Sequence, residues 1–292
     1  MMQGPLRTLL FAPGNHPRKV EKVFHTGTDV VILDLEDAVA ISEKVATRAT
    51  VVEALRQPRP NLGYVRVNAF DTEYCFGDIN AVVGDWLDGI VLPKVESAAQ
   101  IEAADWMMRA LERERGLEEG KIDLLPIIET GLGLDRIDEI ARADTRVKRL
   151  SFGAGDFTRD MGFLWTPDEA ELYYARSRFA VASRAARLEP PIDTVFIDLR
   201  DIEHFEKAAT TAMQMGFQGK LCIHPSQIDI TNRVFTPTDE QVIEAKKHIE
   251  AFKQAEAEGS ASIQVDGYFI DYPIIEKAER ILALADAIAT RG

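Results

Sequence analysis

Residues 29–39 read D-V-V-I-L-D-L-E-D-A-V. The apolar run Val30–Leu33 leads into Asp34, Leu35, Glu36 and Asp37. A continuous Val/Ile/Leu run of this length reads as a strand covered on both faces, as in a parallel sheet sheathed by helices. Buried carboxylates are costly unless they gain a partner, a proton or a metal. A covered strand that delivers acids to its C-terminal end therefore delivers them to a site.

Similar runs recur along the chain, each followed by a longer segment with helical spacing. Strands are expected over Arg7–Ala12, Val30–Leu35, Tyr64–Asn68, Gly89–Pro93, Leu124–Glu129, Arg149–Gly153, Thr194–Asp198 and Lys220–His224. Segments such as S-E-K-V-A-T-R-A-T-V-V-E-A-L-R, 42–56, place apolar residues on one helical face. Ser42, Ser97 and Thr166 stand where such helices should start. Eight strand–helix units within about 250 residues predict an α/β fold, a (β/α)8 TIM barrel. The rival is a doubly wound open sheet, which wants a Gly-rich phosphate turn. The first turn, F-A-P-G-N-H-P, is not one, and T-G-L-G-L-D-R at 130–136 has Arg136 in place of the third glycine.

The barrel should occupy residues 1–238. Residues 239–292 form an extension: a charged helix ended by Gly259, two short extended runs joined by Asp266-Gly267, and a last helix. This helical lid should pack on the barrel or on a neighbouring subunit.

The 292 residues are 46% hydrophobic with a net charge of −14, ample for a large core and repelled by a polyanion. Nucleic acid is thereby excluded as a partner. Cys75 and Cys222 show no metal-ligand or redox spacing, and no apolar run approaches the roughly 20 residues of a membrane span. The start M-M-Q-G-P-L-R-T-L-L-F has no basic leader, so it reads as a first strand, and a cytoplasmic location is expected.

In such a barrel the active site collects residues from the C-terminal strand ends. Here those ends offer Asp34, Glu36, Asp37, Arg66, Asn68, Lys94, Glu129, Asp156, Asp198 and His224. Asp37 and Asp198 read as helix caps and His224 as a structural histidine. Arg66 is either a counter-charge or a substrate ligand, and Lys94 either a rim lysine or part of the site. Glu129 follows the buried run L-L-P-I-I. Asp156 follows Gly153 and Gly155, small residues that let a ligand approach. Adjacent strands set these two carboxylates side by side. That is a hard oxygen pair which, with water and substrate oxygens, suits Mg2+. Glu36 is placed to orient a water on that metal.

The motifs L-L-F-A-P-G-N, D-L-E-D-A-V, V-R-V-N, L-P-K-V-E, I-I-E-T, F-G-A-G-D, I-H-P-S-Q and V-D-G-Y-F-I-D-Y-P follow one another in order. Together they make the chain resemble the citrate lyase β-subunit-like family of the HpcH/HpaI aldolase/citrate lyase superfamily, which includes malyl-CoA and citramalyl-CoA lyases. The resemblance implies a TIM barrel, Mg2+, a homotrimer or dimer of trimers, and carbon–carbon lysis of a 3-hydroxy-3-carboxyacyl-CoA thioester to acetyl-CoA and a 2-oxo acid. It implies Glu129 and Asp156 as metal ligands and Arg66 facing the substrate carboxylate and thioester oxygen. It also implies Asp271, in F-I-D-Y-P, as an acid/base donated into a neighbour's site, and Arg18, Lys19 and Lys22 at the CoA phosphates. Gly155 stands where many members carry Glu, and T-R-D-M-G-F-L-W-T-P after Asp156 is distinctive, so both bear on the acyl pocket. Open alternatives are a citrate lyase β subunit working on a carrier-protein thioester, a malyl-CoA thioesterase, and a non-catalytic metabolite-binding regulator.

Overall fold

A computed structural model describes residues 6–290. Eight parallel strands close into a barrel in sequential order. They are β1 (Thr8–Pro13), β2 (Val30–Asp34), β3 (Leu62–Arg66), β4 (Gly89–Leu92), β5 (Asp123–Ile128), β6 (Ser151–Phe152), β7 (Ile192–Asp193) and β8 (Gly219–Cys222). The seam is the β1–β8 ladder, which sets Thr8 beside Lys220 and Leu10 beside Cys222. Helices α1 (Pro17–Val23), α2 (Lys44–Leu55), α3 (Cys75–Val82), α4 (Ala98–Glu114), α5 (Gly131–Asp135), α6 (Ile137–Ala141), α7 (Ala154–Met161), α8 (Tyr173–Ala185), α9 (Ile202–Gln214) and α10 (Ile228–Val234) connect the strands and follow the last one. This is the expected (β/α)8 TIM barrel.

Leu9, Val30, Ile32, Tyr64, Val91, Leu125, Ile127, Ile192 and Leu221 share one buried cluster. Each such aliphatic side chain contributes about 1.5–3 kcal/mol by leaving water. Strand side chains alternate between faces. Val30 and Ile32 of β2 belong to that cluster, so Asp34 has their parity. Val31 and Leu33 are equally buried on the other face. The D-L-E-D acids thus follow directly from a strand that is apolar on both sides.

Several strands end earlier than their apolar runs suggest. Asn68 lies beyond β3 and Glu129 one residue beyond β5. His224 lies beyond β8, where its Nδ1 accepts the Ser226 N–H at 3.2 Å and caps a short turn. The largest displacement is β7. Its ladder is Ile192–Asp193, not Thr194–Asp198. Asp193 is fully buried and reads in sequence as a strand breaker. It belongs to the core because Arg176 Nε (2.9 Å) and Lys220 Nζ (2.6 Å) both donate to it, while Arg176 Nη2 also holds buried Glu169 at 2.5 Å. The apolar residue Phe196 instead packs beyond the ladder against Phe205 of α9.

The described chain divides into two compact units, Leu6–Asn232 and a C-terminal unit from Arg233 onward. The second unit holds α11 (Asp239–Ala257), a hairpin of β9 (Ser262–Val265) and β10 (Tyr268–Asp271), and α12 (Tyr272–Ala289). Thr238 and Gln241 form a reciprocal cap at the start of α11. Asp266 and Gly267 both take positive φ, 50° and 87°, the conformation that a two-residue hairpin turn requires. Phe252 of α11 meets Tyr272 of α12 edge to face at 5.1 Å. No helix among the described residues is long and apolar enough to cross a membrane.

Candidate active site

The C-terminal ends of β2 to β6 bring Asp34, Glu36, Arg66, Lys94, Glu129 and Asp156 together. The register places Asp34 directly beside Arg66. Arg66 grips it with two parallel bonds, Nε–Oδ1 and Nη2–Oδ2, each 2.7 Å. The N–H groups of Glu36 and Ala38 also donate to Asp34, both at 3.0 Å. Burial works to raise the Asp34 carboxyl, but the Arg66 charge and these four donors hold it below its ordinary range. Asp34 is therefore a fixed anchor. The guanidinium it orients lies over the Phe11 ring at 4.8 Å and directs Nη1 to Glu36 Oε2 at 3.0 Å.

Glu36 lies between two cations, Arg66 on one side and Lys94 Nζ on the other. Burial nonetheless raises its carboxyl above the ordinary value. Lys94 joins several strand ends. Its ammonium touches Glu36 and lies 3.6 Å from Asp156 and 3.7 Å from Asp37. Its backbone N–H donates to Glu129 Oε1 at 2.9 Å. It does so with φ at +53°, the left-handed region that side-chain-bearing residues enter at a cost of order 1–3 kcal/mol. Of the two sequence readings of Lys94, the geometry gives the second.

Glu129 is 5% exposed, and among the described residues no side-chain cation bonds to it. Burial, then the charges of Glu36 and Asp156, push its carboxyl up to about 8. Gly153 makes room for it, since a Cβ there would lie 2.4 Å from Glu129 Oε2. Asp156, on the first turn of α7, reaches Arg159 Nη2 at 2.8 Å. The turn is set by Thr194, whose Oγ1 accepts the Ala154 N–H at 2.7 Å. The Asp156 charge acts on Glu129, and two such neighbouring carboxylates, one of them without a side-chain cation among the described residues, fit a hard divalent cation. Among the described residues no group of three or more His, Cys, Asp or Glu is arranged to hold a metal. Water and substrate oxygens would have to complete any shell on this pair.

The remaining candidates fall elsewhere. Arg18, Lys19 and Lys22 are exposed on α1, and among the described residues none pairs with a carboxylate. Gly155 is exposed beside Asp156. Asp271 belongs to the C-terminal unit, where its Oδ1 accepts the Ile274 N–H at 3.3 Å and caps α12. Asp37 caps no helix and is exposed. Asp198 accepts the Arg200 N–H in a turn, while Asp201 caps α9. Asn68 is structural, holding Lys44 Nζ at 2.5 Å and donating to Asp78 at 2.6 Å. Lys44 also ties down the Leu35 and Glu36 carbonyls, at 3.1 and 2.8 Å. Lys44, Thr194 and Arg159 escaped sequence reading because each acts from a helix or from another strand's loop. A cavity of about 420 Å3 between α1 and α2, lined by Val20, Phe24, Thr50 and Ala54 among others, contains none of the candidate site residues.

A closed parallel barrel with a carboxylate–guanidinium–ammonium cluster at its C-terminal mouth has the architecture of a barrel enzyme. The chain belongs to the HpcH/HpaI aldolase/citrate lyase family, whose sequence profile matches residues 7–225. It is 38% identical to the citrate lyase subunit beta of Leuconostoc mesenteroides subsp. cremoris over 96% of this chain and 93% of that one. It is 34% identical to an L-malyl-CoA/beta-methylmalyl-CoA lyase of Cereibacter sphaeroides, covering 98% and 96%. The structure of protein CitE from Mycobacterium tuberculosis, in complex with magnesium, acetoacetate and coenzyme A, superposes with a TM-score of 0.80 at 28% identity, covering 98% of this chain and 100% of that one. With these relatives the chain is a carbon–carbon lyase.

Proposed function

We propose that the chain cleaves, and in reverse forms, the carbon–carbon bond of a 3-hydroxy-3-carboxyacyl-CoA thioester of malyl-CoA or citramalyl-CoA type, yielding acetyl-CoA and a 2-oxo acid, with Mg2+ held by Glu129 and Asp156. The observation that carries this reading is Glu129 itself. A buried carboxyl pushed up to about 8 by burial, Glu36 and Asp156, and bonded among the described residues by no side-chain cation, marks a site made to receive positive charge. When bound, the metal supplies Lewis-acid polarisation of substrate oxygens.

The chain's own residues do the rest. Arg66, locked by Asp34, presents a preoriented positive charge where the thioester becomes enolate-like. Glu36, held between Arg66 and Lys94, orients water or hydroxyl at the metal edge. Gly155 and Asp156 border the acyl group, and Arg18, Lys19 and Lys22 take the CoA phosphates. Asp271, delivered from a neighbouring subunit of a homotrimer or dimer of trimers, gives the proton to the α-carbon in cleavage and removes it in condensation.

The identity of 38% to a citrate lyase β subunit, against 34% to a malyl-CoA lyase, favours a second reading in which the acyl group arrives on a carrier-protein thioester. The test is condensation of acetyl-CoA with glyoxylate, pyruvate or oxaloacetate in the presence of Mg2+. Glu129→Ala and Asp156→Ala should each abolish turnover while leaving the circular dichroism spectrum unchanged. Activity that persists in either variant, or in excess chelator, refutes the metal assignment. Release of free CoA without a 2-oxo acid would make the enzyme a thioesterase.

A further inference from the structure

We propose that Lys94 is a built-in counter-cation that competes with the metal for Asp156. Its ammonium holds the acids of the barrel mouth together, yields Asp156 when a divalent cation binds, and keeps the affinity for that cation low. The inference rests on the assignment of Glu129 and Asp156 to the metal and adds the residue that tunes it.

Lys94 meets these acids in two ways. Its backbone N–H donates to Glu129 Oε1 at 2.9 Å. Its ammonium lies among Glu36, Asp37 and Asp156, and its charge also acts on Glu129. Both contacts come from one residue at φ +53°. Strain of this kind persists where the surroundings over-determine it, and it clusters at functional sites.

The contacts of the ammonium are unequal. It is hydrogen-bonded to Glu36. It stands 3.6 Å from Asp156 and 3.7 Å from Asp37, too far for a hydrogen bond. The link to Asp156 is therefore Coulombic, and that carboxylate can turn to a metal without breaking a hydrogen bond to Lys94. The other cation on Asp156, Arg159, is 75% exposed, so solvent screens it. The Lys94 side chain is 29% exposed, and its charge is screened less.

Charge sets the direction of the effect. Arg66 is committed to Asp34 by two parallel bonds. Any cation that Asp156 takes shares that carboxylate with the Lys94 ammonium. A fixed positive charge about 5 Å from a divalent ion weakens its binding about 10-fold even at the dielectric constant of water. A lysine that merely braced the site would act in the opposite sense. Its loss would let the acids part and would weaken metal binding.

The experiment is calorimetric titration of the full-length protein, stripped of metal by chelator, with MgCl2. Lys94→Met keeps the side-chain length, the backbone N–H to Glu129 and the same left-handed cost, but removes the charge. It should bind Mg2+ about 10-fold more tightly than wild type. Lys94→Gln, which can still donate to Glu36, should do the same, and Lys94→Arg should stay within about threefold of wild type. Thermal unfolding gives an independent reading. Without Mg2+, Lys94→Met should melt about 2–5 °C below wild type, and saturating Mg2+ should close most of that gap. The proposal is overturned if Lys94→Met binds Mg2+ as wild type does or more weakly, if Lys94→Gln restores wild-type affinity, or if the melting gap persists at saturating Mg2+. Glu129→Ala is titrated alongside. If it binds Mg2+ as well as wild type does, the metal assignment fails and the proposal with it. If it loses Mg2+ while Lys94→Met shows no gain, the assignment stands and the proposal alone fails.

Discussion

On the proposed reading Glu129 is the residue that concentrates the chemistry, and its titration gives a measurable consequence. Its carboxyl sits at about 8 in the folded chain against an ordinary 4.5, because burial and then Glu36 and Asp156 oppose its charge. A folded pKa raised above the unfolded one means that this group's contribution to stability is fully present below about pH 4.5 and is lost as pH rises toward 8. A divalent cation reverses the sense, because it binds the carboxylate and releases the proton. Mg2+ affinity should therefore climb by up to about tenfold per pH unit between pH 6 and 8 and level off above. Calorimetry across that range, with Glu129→Gln as control, reads it, and a flat profile in wild type refutes the assignment. A second test removes no ligand. Gly153→Ala would set a Cβ 2.4 Å from Glu129 Oε2 and 2.7 Å from its Cβ, so the carboxylate must shift. A displacement near 1 Å at a reacting centre costs about 100-fold. We expect a turnover loss of that order with weakened Mg2+ binding, and wild-type values for both would show that Glu129 tolerates movement.

Elements show where sequence reading succeeds and where it fails. β2, β4 and β5 were legible because strands buried on both faces are nearly pure Val, Ile, Leu and Gly, and their last apolar residue points to the acid or lysine that follows. The positions of Asp34, Glu36 and Glu129 at strand ends were legible for the same reason, whereas Asp156 was picked out by the glycines Gly153 and Gly155 before it. β7 was not legible, because its two ladder residues include Asp193, which pairing alone makes a core residue. Nor does any sequence pattern announce that Lys94 adopts a left-handed backbone, or that Arg66 spends its fork on Asp34. These depend on long-range partners. The β7 network gives the prediction at this scale. Asp193→Ala leaves Arg176 and Lys220 buried without their shared carboxylate, and breaking a buried pair in this way costs about 3–5 kcal/mol. Urea unfolding should show a loss of that size. A loss below 1 kcal/mol would mean that water or Glu169 replaces the partner. The isosteric Asp193→Asn should fall between, since it keeps hydrogen-bonding capacity but not the charge.

At the scale of the whole molecule the question is where Asp271 acts. It sits at the end of β10, with Tyr268, Phe269 and Tyr272 around it 64%, 67% and 50% exposed in the single chain. Exposed aromatics clustered around an acid suit a surface covered by another chain. On the proposed reading that chain is a second copy, and each site combines one subunit's Glu129 with its neighbour's Asp271. Asp271 also caps α12, so Asp271→Asn is the clean substitution. Asn caps as well as Asp but cannot transfer the proton. Asp271→Asn should bind Mg2+ and thioester normally yet fail to exchange the thioester α-protons with deuterated solvent. Mixing is decisive. Inactive Asp271→Asn and inactive Glu129→Ala chains, unfolded together and reassembled, should regain part of wild-type activity, because some sites then pair an intact Glu129 with an intact Asp271 across the subunit boundary. If mixed assemblies confirmed by mass spectrometry stay inactive, or the active species sediments as a monomer, the acid works within its own chain or only caps a helix. Loss of proton exchange in Asp271→Asn without rescue on mixing would select the first of those. Normal exchange would select the second.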